Sequence, residues 1–229
     1  MAGTFFALLI LSCAKDESNK ILTKESNVST RNVLDCGPDR ENPNCSSNTY
    51  FNVPVSTLLG CDANVTYSVL TCYNNSNPPG VTSIAVYDVE IQYSIPSCNT
   101  LIDSIIYYVT NGNQVRANYL QVMFNRIVTS KIENIVINDK LDDNPNAYDC
   151  ENGALVNLDF FSSKCYKFCV TSKKQVYCGI GCCKRATGYC YKDGVLIKSY
   201  SNLSQSAPCE SIFDPCEVGT ECAASACEI

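Results

Sequence analysis

Histidine is absent from the 229 residues, while cysteine occurs 17 times. Chemistry in this chain would therefore fall to carboxylates and thiols. Without imidazole there is no Ser-His or Cys-His nucleophile pair and no His-ligated zinc or iron. Two carboxylate constellations have the spacing of a site. Asp88 and Glu90 stand two apart in an alternating run and would project from one strand face, as the paired acids of a glycosidase do. The same alternation sends that face to solvent, which is the commoner arrangement. Asp142, Asn144, Asn146 and Asp149 offer oxygens along one loop, as a calcium loop does. Ala147 occupies the place where such a loop wants glycine, no glutamate closes it, and Asn144-Pro145 is an ordinary helix stop. The expectation is a chain with no catalytic residue, no cofactor and no metal site beyond this weak calcium candidate.

The cysteines read as disulfides. Cytosolic thiols stay reduced, and no CxxC of the zinc-ribbon or thioredoxin type occurs. Cys36, Cys45, Cys61, Cys72, Cys98, Cys150, Cys165, Cys169, Cys178, Cys182, Cys183, Cys190, Cys209, Cys216, Cys222 and Cys227 form an even set once Cys13 is set aside. Sequence leaves their connectivity open, except that adjacent Cys182 and Cys183 must take different partners. The net charge of −6 repels phosphate backbones, so nucleic acid is not an expected partner.

The elements that would position these groups follow from periodicity. Between Cys36 and Cys98 three alternating runs are separated by turn clusters such as Asn74 to Gly80, which predicts three strands. Pro54 assigns the first to a sheet edge. In the third, Ala85, Tyr87, Val89, Ile91 and Tyr93 are expected on one face, with Asp88, Glu90 and Gln92 on the other. Residues 99 to 110 read equally as strand or helix, ending near Asn111-Gly112. Val115, Tyr119, Met123 and Ile127 then recur every four residues, joined by Leu120, Phe124, Val128, Ile132, Ile135 and Val136. This predicts one long amphipathic helix whose stripe faces the core; the rarer alternative is a stripe that docks a partner. Past Cys150, cysteines are dense and apolar runs short, with Lys192-Asp193-Gly194 as a hairpin turn. The 14 tyrosines are expected mostly to fill a core that lacks tryptophan.

At the amino terminus, Phe5 to Leu11 is too short to span a bilayer and suits the core of a signal peptide. Ile10-Leu11-Ser12-Cys13 resembles a bacterial lipobox, in which Cys13 is lipidated. The following Lys15-Asp16-Glu17 resembles the signal that exports lipoproteins of Bacteroidota to the cell surface. The alternative is plain secretion with cleavage after Ala14. Residues 14–35 are polar and aperiodic, as a flexible tether is, with a reach of about 25 Å. Two stretches, VPVSTLLGCDANVTYSVLTC and CYKFCVTSKKQVYCGIGCCKRATGYCYKDGVLI, are similar to cysteine-rich exported proteins of that lineage. The resemblance implies a location and supplies no catalytic residue.

These readings make an α+β protein. Residues 1–13 are a lipoprotein signal and lipobox, 14–35 a tether, 36–149 a small antiparallel β domain with a long helix, and 150–229 a disulfide-stapled, β-rich subdomain. The expected place is the outer membrane at the cell surface, held by a lipid, with secretion as the alternative. The expected work is non-enzymatic protein–protein interaction, as an accessory subunit of an outer-membrane protein complex. Adhesion or ligand capture is the first alternative and a carboxylate-dependent hydrolase the second.

Overall fold

The structure is a computed structural model that describes residues 37–38, 40–57, 60–74, 80–94, 96–141, 145–163, 165–205, 210–211, 216, 218–220 and 222–224. Cys13 and the export signal Lys15, Asp16 and Glu17 lie outside them, as do Cys36, Cys209 and Cys227. The fold is mixed α and β.

Three strands form an antiparallel meander: β1 (Cys45–Val55), β2 (Ala63–Tyr73) and β3 (Val81–Tyr93). Two helices follow, α1 (Asn99–Thr110) and α2 (Gln114–Leu141). The chain then enters β4 (Val156–Ser163), which pairs with β3 in parallel. Parallel neighbours cannot be joined by a tight turn, so a long crossover is obligatory, and the two helices supply it. Next come β5 (Cys165–Cys169), β6 (Lys174–Tyr177), β7 (Gly179–Ile180), β8 (Cys182–Lys192) and β9 (Val195–Gln205). Strands β8 and β9 complete a six-stranded sheet in the order β1-β2-β3-β4-β8-β9, so strands from either side of Cys150 share one sheet. Short strands β10 (Glu210–Ser211) and β11 (Ala223–Ala224) pair with β7 and β5 in two small sheets.

Several local expectations hold. Strand β1 with Pro54 is a sheet edge. Residues 99–110, open between strand and helix, are helical because Ile102, Ile105 and Val109 recur at helical spacing and are buried. The turn at Asn111-Gly112 ends α1, with Gly112 at φ 71°. Lys192 pairs with Val195 across a two-residue turn in which Asp193 and Gly194 have φ of 52° and 74°, the left-handed pair a tight hairpin needs.

The face assignment in β3 needs correction. Its register slips at Asp88, a bulge residue with φ 51°. One extra residue inverts the alternation. Ile84 and Val86 before it, and Val89 and Ile91 after it, face the main core under the helices. Ala85 and Tyr87 point to the opposite face, into a small cluster with Leu70 and Phe161. They therefore do not share a face with Val89 and Ile91.

Five disulfides have both ends among the described residues: Cys45–Cys72, Cys61–Cys98, Cys150–Cys190, Cys169–Cys216 and Cys178–Cys222. Cys165, Cys182 and Cys183 are also disulfide-bonded. The Cys61–Cys98 bridge fastens the start of α1 to the end of the sheet where β2 begins.

Candidate functional site

The helical crossover carries two features that interrupt an ordinary core. The first is polar and buried. On α2 the packed face includes Gln121, Asn125 and Glu133 beside Ala117, Phe124, Val128, Ile132 and Val136. Glu133 is 1 % exposed, and a lone carboxylate there would be untenable. Strand β8 answers it: Arg185 donates through Nη2 to Oε2, and the Tyr189 hydroxyl donates to Oε1. From β9, Lys198 places Nζ 3.3 Å from the same Oε1. These three donors reach one carboxylate because β8 and β9 are paired with Tyr189 opposite Lys198, and alternation aims Arg185 and Tyr189 at the helix. Burial, reinforced by the hydrogen bond to Glu133, pushes the Tyr189 phenol well above its ordinary range, so it stays a donor. The cluster holds one carboxylate, Glu133, among its four members. It locks the helix to the sheet. Sequence reasoning passed over it, although Glu133 lies between Ile132 and Val136 in a helical apolar period, which was its available signal.

The second feature is apolar and exposed. The stripe Val115, Tyr119, Met123 and Ile127, expected to face the core, lies on the other side of α2. Val115 is 81 % exposed and Tyr119 61 %, while Met123 and Ile127 are half-buried. Other members of the expected stripe, Phe124, Val128, Ile132 and Val136, do face the core, with Ala117 beside them. The stripe spans about 18 Å at 1.5 Å per residue. Near the end of α1, Tyr107 is 62 % exposed and meets Tyr108 edge-on at 5.5 Å between centroids. Arg116 binds this end by donating from Nη1 to the Tyr108 hydroxyl at 3.2 Å. The Asn113 side chain fixes the corner, accepting the Arg116 backbone N–H at 3.2 Å as a helix cap.

The two strand carboxylates singled out by spacing take separate polar partners. The bulge turns Asp88 to the Arg40 guanidinium at 3.3 Å, while Glu90 accepts from Gln92 Nε2 at 3.4 Å. Of the calcium candidates, Asp142 and Asn144 lie outside the described residues. Asn146 sits in a 3-10 turn, Pro145–Tyr148. Asp149 is occupied as a cap, accepting the Glu151 N–H at 2.8 Å. Among the described residues no group of three or more Cys, Asp or Glu is placed to hold a metal ion, and no helix is long and apolar enough to cross a membrane.

Comparison with protein-family models, curated proteins and solved structures returned no match.

Proposed function

We propose that this chain is a non-enzymatic surface lipoprotein that works by protein–protein interaction, as an accessory subunit of an outer-membrane protein complex. In this reading acylated Cys13 holds it to the membrane, Lys15-Asp16-Glu17 directs its export, and residues 14–35 serve as the tether. The many disulfides, densest past Cys150, suit a rigid body in an oxidising place. The observation that carries the reading is the pair Val115 and Tyr119, exposed on α2 with half-buried Met123 and Ile127 continuing their line and Tyr107 exposed on α1. An amphipathic helix normally turns such a stripe inward, and one left uncovered on a fixed helix is a surface for another molecule. Presenting a helix face to a groove is an established docking mode, read as anchors at i and i+4. Tyrosine and arginine are the residues that dominate such interfaces.

A second reading, capture of an external glycan or protein, is favoured by the exposed rings of Tyr107 and Tyr119. It differs in needing no membrane complex.

Co-purification separates the readings. A carboxy-terminally tagged chain, extracted from outer membranes in mild detergent, should carry one protein in fixed stoichiometry through gel filtration. V115S/Y119S should lose that protein while keeping its thermal midpoint. Elution of the wild-type chain alone would overturn the subunit reading in favour of ligand capture.

A further inference from the structure

The charge around the stripe is one-sided. Between Asp103 and Glu133 no acidic residue occurs, in a chain with 23 Asp and Glu against 17 Lys and Arg. The same stretch holds three cations, Arg116, Arg126 and Lys131. At 100° per residue, Arg116 and Arg126 fall on opposite flanks of the stripe, and Lys131 continues its four-residue spacing past Ile127. Among the described residues none of the three lies within ion-pair distance of a carboxylate. The surface of α2 around the stripe is thus basic and apolar on an acidic protein, with exposed Asp103 of α1 one turn from Tyr107.

From this juxtaposition we infer that the occupant of the stripe is a partner protein whose docking surface pairs an apolar groove with an acidic rim. The inference rests on the docking role proposed above and adds the chemistry of the partner. A second copy of this chain fits poorly, because two such faces would bring the three α2 cations of each together, with Asp103 near Tyr107 the one acid bordering the face. A bilayer fits less well than a protein. Adsorption scales with buried apolar area, and the strongly exposed members here are one valine and two tyrosines, with no phenylalanine or tryptophan among them. A shaped groove takes up Tyr119, Val115 and half-buried Met123 together, and rim carboxylates facing Arg116 and Lys131 would orient it and speed encounter.

The test uses the full chain in the cells that make it, with a photoreactive phenylalanine analogue at position 119 and, as control, at exposed Val195. The expected result is a single protein adduct from position 119 and none from 195. The linked partner peptide should carry net negative charge. R116E/K131E, both at the surface, should lower the adduct yield roughly tenfold, and raised salt should lower it too. An adduct to a neutral or basic peptide, or a yield indifferent to charge reversal, overturns the inference and leaves the docking face standing. An adduct to a second copy or to phospholipid overturns the inference by naming another occupant. Absence of any adduct from position 119 overturns the docking reading itself.

Discussion

Replacing Glu133 by alanine should be among the most damaging single changes in the protein. The carboxylate is almost fully buried and accepts from Arg185 and Tyr189, with Lys198 at 3.3 Å. Its removal leaves the Arg185 guanidinium and the Tyr189 hydroxyl buried without their acceptor. Breaking a buried pair from one side costs about 3–5 kcal/mol. Arg185→Met should cost less, about 1–3 kcal/mol, because Tyr189 and Lys198 still serve the carboxylate. The double variant E133L/R185M removes both charges and should recover most of the loss, since well-packed apolar replacements for a buried pair are often close to neutral. Urea unfolding of the oxidised proteins, taken as a double-mutant cycle, reads all three. A Glu133→Ala loss under about 1 kcal/mol, or losses that simply add, would refute the view that this cluster pins α2 to β8.

Three other outcomes follow from the same geometry. Gly188 lies opposite Tyr200, and a Cβ there would clash with the edge of the Tyr200 ring, so Gly188→Ala should lower the thermal midpoint and G188A/Y200A should restore part of it. Tyr67, Tyr93, Tyr166, Tyr177 and Tyr189 are all held above the ordinary phenol range, chiefly by burial. Their folded pKa values exceed the unfolded value of about 10, so their contribution is complete below that pH and is lost above it. On alkaline titration the tyrosinate absorbance of these five should therefore appear together with unfolding, as read by circular dichroism in the same sample. Graded reduction followed by brief proteolysis should cut past Cys150 first. The two small sheets there have strands as short as two residues and lean on Cys169–Cys216 and Cys178–Cys222. A first cut within β1 to β3 would oppose this.

What the sequence shows by itself depends on whether the cause is local. The three amino-terminal strands, the edge position of Pro54, the length of α2 and the Asp193-Gly194 turn all arise from neighbours in the chain, and they are legible there. The parallel contact of β3 with β4 is not, because nothing near Val81 or Val156 encodes a partner across the helical crossover. Asp88 shows how one residue defeats a periodic reading: alternation was sound on either side, but the bulge reversed its phase. On α2 the apolar residues trace two faces. The period alone could not choose the buried one, since that face includes Gln121, Asn125 and Glu133. Of those polar groups Glu133 is answered by the sheet, through partners that lie 52 and 56 residues later, at Arg185 and Tyr189. Val115 and Tyr119, which the period placed in the core, are left to solvent.

The most direct measurement is hydroxyl-radical footprinting of the purified chain beside the same chain in intact outer membranes, read by mass spectrometry at Tyr107, Tyr119 and Met123. The docking account predicts ready oxidation of these residues in the purified protein and protection in the membrane sample, with exposed Tyr73 and Tyr200 labelled alike in both. Equal labelling of Tyr107, Tyr119 and Met123 in the two samples would contradict it.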